Sequence, residues 1–375
     1  MDATTDVMYL STTLNDSATS VEPGTQPPWP ISVQVVLSLV VALTSLGTAI
    51  GNAIVIYAYF TTRALRTYTN FYVLNLAILD LIGGLFPMPM YGAYWIVGYW
   101  PFSIPMCDFY LWVNHTTLNA TSIAVLIIAV DRYRSIVHPI KHFQQRNWRY
   151  AALWISICYI ASLLIWTPAI FIWPVVSGRS VPPYICQPEY INSIGFASFA
   201  QLELFWVPVV AMAILYTKVY RVYRKRMGAR KYKKKTRMDA VQASEGDSGI
   251  SSKNTASTGV AASEEMSSTP GSDPGSQRDC QSGGGRFESR KMRQEGNRAV
   301  RTLSFIFAVF LASGIPWAIL VVVFNMCPTC IPLALYQTSV YVARISSLFN
   351  PACYAAANPL FKNAFKRIFC FWRKG

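Results

Sequence analysis

Ionisable side chains interrupt four long apolar runs: Asp80 in Asn75-Leu-Ala-Ile-Leu-Asp80, the pair Asp131-Arg132, Glu203 and Arg344. A charge at bilayer depth costs about 2.5 to 3.5 kcal/mol on insertion scales, so each is a functional candidate by default. Amides at Asn52, Asn114, Asn119 and Asn350 lie in the same runs. Such groups can hold an ion, bind a polar ligand or exchange partners in a switch. The plainer reading of Asn52, Asp80 and Asn350 is an interhelical hydrogen-bond cluster that only holds the helices together. Nothing here is spaced for catalysis. His115, His138 and His142 are too dispersed to share a metal, and no glycine loop that would cradle a phosphate is present.

These residues need elements that hold them at depth. The chain of 375 residues is 53% hydrophobic and only 14% charged, too apolar for an ordinary soluble protein. About 20 apolar residues cross a bilayer, and seven stretches qualify, near 33–60, 70–95, 105–137, 150–173, 194–222, 299–325 and 332–356. The predicted fold is all-α, a seven-transmembrane helix bundle. Residues 1–32 form a polar tail with no Lys or Arg, unlike a cleaved signal. Threading the chain through seven spans leaves only Arg179 and Arg344, of 33 Lys and Arg, off one face. That face is therefore cytoplasmic and the N-terminus is outside. The net charge of +15 then reflects topology, and nucleic acid is not an expected partner. The organisation expected is an external tail (1–32), five spans (33–222), a cytoplasmic loop (223–298), two more spans (299–356) and a cytoplasmic tail (357–375).

Within that loop, 239–288 is rich in Ser, Gly and Thr and reads as disordered. The flanking stretches Arg221 to Arg237 and Arg286 to Arg301 read as basic helical extensions, which either fix topology on acidic lipid or dock a cytoplasmic partner. Asn358 to Trp372 reads as an amphipathic helix on the inner leaflet, ending at Cys370, a palmitoylation candidate or a plain buried thiol. Asn15-Asp-Ser17 is the credible glycosylation acceptor, since Asn114-His-Thr and Asn119-Ala-Thr fall inside a span. No internal repeat suggests a transporter.

Gly51-Asn52, Asn75 to Asp80, Asp131-Arg132-Tyr133, Pro208, Pro316 and Asn350-Pro-Ala-Cys-Tyr354, in this order and on these spans, resemble the rhodopsin-like G-protein-coupled receptors. Trp166-Thr-Pro-Ala-Ile-Phe-Ile-Trp173, Ser177 to Cys186, Cys327-Pro-Thr-Cys-Ile-Pro332 and Phe205 to Tyr216 are similar to the muscarinic acetylcholine receptors, with the histamine receptors next. The resemblance implies bridges Cys107–Cys186 and Cys327–Cys330. It implies a switch in which Arg132, held by Asp131 and followed by Tyr133, is released toward Tyr216 and Tyr354, with Gly314, Pro316, Asn350 and Pro351 in the moving parts. It implies an allosteric sodium site at Asp80, Thr121, Ser347 and Asn350, and as partners a heterotrimeric G protein, arrestin, membrane lipid and a small-molecule ligand at the plasma membrane.

The ligand positions that the resemblance implies are Asn114, His115, Leu118, Trp317, Ala318, Tyr341 and Arg344, and here the chain departs from the muscarinic pattern. Asn114 stands where that family has an aspartate, His115 and Arg344 stand where it has tyrosines, and Gly314 stands where it has a tryptophan. An ammonium ligand wants an anion and aromatic faces, whereas this pocket lost the anion and gained a cation. The expectation is a receptor for a non-aminergic ligand; the alternatives are a working amine receptor and a ligandless, constitutively active or modulatory one. Arg344 either pairs internally with Glu203 or Asp80 or, with Asn114 and His115 facing it, recognises a carboxylate. Gly314 is expected to leave the pocket floor under-filled, so that Gly314→Trp lowers ligand-independent signalling.

Overall fold

The computed structural model describes residues 28–222 apart from 146, then 224–225, 236, 304–305 and 307–372 apart from 328. Asn15, the loop at 239–288 and nearly all of its basic flanks lie outside the described residues, as does the Cys370 side chain.

Six described helices are long and apolar enough to cross a membrane: Ile31–Thr61, Tyr68–Val97, Ile104–Val137, Trp148–Ser177, Ile194–Val222 and Phe307–Met326. The apolar side chains of the first helix show why. Val35, Leu39, Leu43, Leu46 and Ile50 recur at helical spacing and are each more than half exposed, a stripe that only lipid can cover. The interior instead buries Asn52, Asp80, Asn114, Asn119 and Asn350. Apolar side chains thus face outward as well as filling the core, unlike the polar surface of a water-soluble bundle.

Local breaks follow the prolines. The second span bends at Phe86, ahead of Pro87, because a proline offers no N–H to the preceding turn. The fourth loosens into a π turn at Pro168–Ile172, and the fifth has another at Leu202–Trp206, just ahead of Pro208. The last apolar stretch differs from the single span expected at 332–356. It is two 12-residue helices, Leu333–Arg344 and Ser346–Ala357, joined at Ile345; within the second, Pro351 cannot donate to Ser347 O, which accepts instead from Asn52 Nδ2. Pro359–Trp372 forms the expected amphipathic helix, with Phe361 and Ala364 buried against the core and Lys362, Lys366 and Arg367 not buried.

The first helix packs mainly on the second span and on the second half of the seventh. Its approach to the seventh is close: a Cβ on Gly51 would stand 3.1 Å from Pro351 Cγ. At one end of the bundle Cys107 is bridged to Cys186, with Cα atoms 5.6 Å apart, and Cys327 to Cys330. Asp131 and Arg132 lie at the other end of the third span. Among the described residues, Cys158 and Cys353 are free and buried.

Candidate functional site

A partly open cavity of about 100 Å³ runs between the spans. Arg344 and Asn114 line it, as does Asp80; Leu118, Phe205, Phe310, Gly314 and Trp317 form an apolar wall.

Arg344 is fixed from several sides. Its Nη2 donates to Asn114 Oδ1 at 2.8 Å and to the Tyr110 hydroxyl at 3.2 Å, and Nη1 donates to Val340 O at 3.2 Å. The guanidinium lies 4.6 Å from the centre of the Tyr91 ring, whose negative face attracts the charge. Of the two arrangements open from sequence, internal pairing with an acid is not the one found. Asp80 accepts from Ser347 Oγ and Asn350 Nδ2, each at 2.7 Å. Glu203 is engaged by Asn119, whose own Oδ1 accepts from Ser162 at 2.7 Å. Among the described residues no carboxylate reaches Arg344.

Not every expected ligand position faces this space. Asn114, Leu118, Trp317 and Arg344 line it, but His115, Ala318 and Tyr341 do not. One residue along a helix is a turn of about 100°, so the step from Asn114 to His115 swings the imidazole away from Arg344. His115 Nδ1 meets Leu111 O at 2.7 Å and Nε2 meets the Tyr190 hydroxyl at 3.0 Å, and its ring lies 4.7 Å from that of Trp166. Burial around Tyr190, outside the spans, raises its phenol above the usual range. Tyr341 turns toward the first and second spans, with its hydroxyl 2.6 Å from Thr44 Oγ1 and its ring stacked on Trp95 at 5.1 Å. Ala318 is fully buried, and its carbonyl accepts from Gln201.

Gly314 lines the cavity, but the position its side chain would take is already filled. Phe205, 2% exposed, pushes its ring into the space that a Gly314 side chain would need. That ring stacks on Phe310 at 5.6 Å and meets Trp317 edge-on at 5.9 Å. The aromatic side chain beside Gly314 therefore comes from the fifth span.

Deeper in the cavity, Asp80, Thr121, Ser346 and Ser347 share one wall region, and Asn52 Nδ2 donates to Ser347 O at 3.3 Å. At the far end Arg132 Nη1 lies 3.5 Å from Asp131 Oδ2 and donates to Thr69. Asp131 Oδ1 also takes His142 Nε2 at 2.8 Å, with both side chains almost fully buried. His142 belongs to a short helix, Pro139–Gln144, that the Asp131 contact ties to the third span. Tyr216 stacks on Phe307 at 4.8 Å and Tyr354 packs on Phe361, both on the same core cluster as Val125, Ile128 and Met212. Tyr133 is half-buried beside them in sequence, away from that stack. At the disulfide end Asp108 pairs with Arg179, and that hydrogen bond raises the guanidinium pKa above its ordinary value.

Tyr91, Tyr110, Phe205 and His142 were not legible as functional positions. The aromatics stand in apolar runs that look like bulk, and His142 gains meaning only from an acid 11 residues away across a turn.

The sequence model of the family described as "7 transmembrane receptor (rhodopsin family)" matches residues 51–354. The muscarinic acetylcholine receptor M1 of Mus musculus is 26% identical over 95% of this chain and 95% of its own. The M2 receptor of Gallus gallus is 25% identical over 96% of this chain and 97% of its own. The M5 receptor of Rattus norvegicus is 34% identical over a shorter stretch, 51% of this chain and 36% of its own.

Proposed function

This chain belongs to the rhodopsin family of seven-transmembrane receptors, and on that premise we propose that it is a G-protein-coupled receptor whose ligand is not a biogenic amine. The family is one of receptors and not of enzymes, and the chain is a multi-pass membrane receptor in a seven-helix bundle. The relatives are acetylcholine receptors by name. One observation carries the departure from them: a guanidinium, held on Asn114, Tyr110 and Tyr91, in the cavity of this chain. A second cation entering beside Arg344 meets like charge in a low-dielectric space, where repulsion is least screened.

The signalling end is assigned to Asp131, Arg132, Tyr216 and Tyr354. In the arrangement described, Arg132 stays beside its neighbouring acid and the two tyrosines sit on the core. Release of Arg132 toward those tyrosines is the proposed activating step, opening a surface for a heterotrimeric G protein and later for arrestin. We place the receptor in the plasma membrane with its N-terminus outside, on the distribution of Lys and Arg, and its basic flanks and terminal helix on acidic lipid. For a sodium ion Asp80 would supply the charge and the Ser347 and Thr121 hydroxyls neutral oxygens, while Asn350, whose Nδ2 donates to Asp80, holds the carboxylate in place.

The test is G-protein activation in cells expressing the chain, first without ligand and then with acetylcholine and histamine. Coupling is expected, neither amine should act at micromolar concentration, and Arg132→Ala should abolish coupling at unchanged surface level. A micromolar response to acetylcholine would overturn the non-amine reading, and full coupling by Arg132→Ala would overturn the switch.

A further inference from the structure

We infer that the cavity takes a small amphiphilic monocarboxylate, with its headgroup on Arg344 and an apolar or aromatic body against Leu118, Phe205 and Trp317. This rests on the receptor reading and adds the chemical class of the ligand.

The headgroup follows from charge and unused donors. Arg344 is half-buried among helices with no carboxylate partner among the described residues, and a charge at that depth without a counter-ion is costly. Its hydrogen bonds engage Nη1 once and Nη2 twice, which leaves Nε–H and one Nη1–H; Nε is buried with no acceptor. Asn114 spends its Oδ1 on Arg344, and its Nδ2 has no protein acceptor among the described residues. A planar anion answers both residues, because the guanidinium fork and the amide N–H₂ are all donors and a carboxylate is all acceptor. Tyr91 beneath the guanidinium and Tyr110 beside it hold that fork in place before any ligand arrives, which lowers the ordering cost of binding.

The body follows from the opposite wall. Leu118, Leu204, Phe205, Phe310 and Trp317 present aliphatic and aromatic surface to the same space, with Phe205 and Trp317 set edge to face. A purely polar anion would leave that wall against water. The single charge follows from the far end. Asp80 lines the cavity too, so a second negative charge deeper in the ligand meets repulsion where the first met attraction.

The purified full-length receptor in nanodiscs is melted with matched pairs of probes: 3-phenylpropionate and 3-phenylpropionamide, indole-3-acetate and indole-3-acetamide, octanoate and octanamide. At least one acid should raise the melting temperature in a saturable way while its amide does not, since a ligand that binds only the folded state stabilises it by mass action. Arg344→Gln should weaken the acid at least tenfold. Should that variant not fold, Asn114→Asp gives the second reading: it supplies Arg344 with an internal carboxylate and should block the acid in a folded receptor. The inference fails if none of the acids stabilises, if the amides act equally, or if both variants bind acid as the wild type does. Ligand-independent G-protein activation by the same preparation separates the two levels. Coupling without acid binding refutes the ligand class alone, and acid binding without coupling refutes the receptor reading.

Discussion

Gly314→Ala tests whether Phe205 fills the floor of the cavity. A Cβ added there meets Phe205 Cε2 in hard overlap, Cζ at 3.1 Å and Cδ2 at 3.3 Å. The ring cannot swing clear, since it is buried, stacked on Phe310 and set against Trp317 and Trp206. Forcing extra atoms into such packing costs about 1 to 3 kcal/mol. Alanine also regains about 0.8 to 1.0 kcal/mol of helix propensity over glycine. The net expectation is a loss of about 0 to 2 kcal/mol. The single variant therefore decides less than the pair. Phe205→Leu removes the obstructing edge of the ring, so Gly314→Ala in that background should show the propensity gain without the clash. A coupling of about 1 to 3 kcal/mol between the two positions follows, within the range for residues in contact. Melting of the wild type, both singles and the double in nanodiscs measures it, with ligand-independent coupling as a second readout. Additive effects within about 0.5 kcal/mol would refute the argument. Gly314→Trp, expected from sequence to quiet an under-filled floor, meets the same ring and should instead destabilise the receptor unless Phe205 is shortened.

Asn114→Asp turns the 2.8 Å contact with Arg344 Nη2 into an ion pair that neutralises the new carboxylate, and should create no acetylcholine response. Combined with Arg344→Tyr it should create one, and dose-response curves on all four receptors check both statements. His142→Ala removes a bond of about 1.5 to 3 kcal/mol from the buried Asp131 carboxylate and frees the short helix that carries it, so ligand-independent coupling should rise; an unchanged basal signal at equal surface level would sink this. Cys107→Ala opens a bridge across a sequence separation of 79, worth about 4.5 kcal/mol of chain entropy, against about 2 for the separation of 3 at Cys327, so surface expression should fall far more for Cys107→Ala.

The spans were legible because each is written in one stretch of chain, and the bridges through the resemblance to the muscarinic receptors. An apolar run of bilayer length needs no partner to be recognised, and Asp131-Arg132 or Asn350-Pro351 announce themselves by standing charged, polar or proline-bound among Val, Ile and Leu. The break at Ile345 was not legible, since the run continues through it and the loss of helical hydrogen bonding there shows only in the backbone. His115 and Tyr341 were placed by adjacency to Asn114 and Arg344, and helical phase overruled adjacency: one turned to Tyr190, the other to Thr44.

The largest miss is the most informative. Sequence shows Gly314 as a loss and Arg344 as an intrusion, because each is read at its own position. The fold shows both in contact with residues on other helices. Phe205 takes the volume that a Gly314 side chain would need, and Tyr91, Tyr110 and Asn114 take the charge that Arg344 brings. The contacts that hold the bundle, such as Gly51 against Pro351 and Asp80 with Asn350, involve other residues. The chain thus keeps the seven-helix architecture while a guanidinium, held by Asn114, Tyr110 and Tyr91, stands in its cavity.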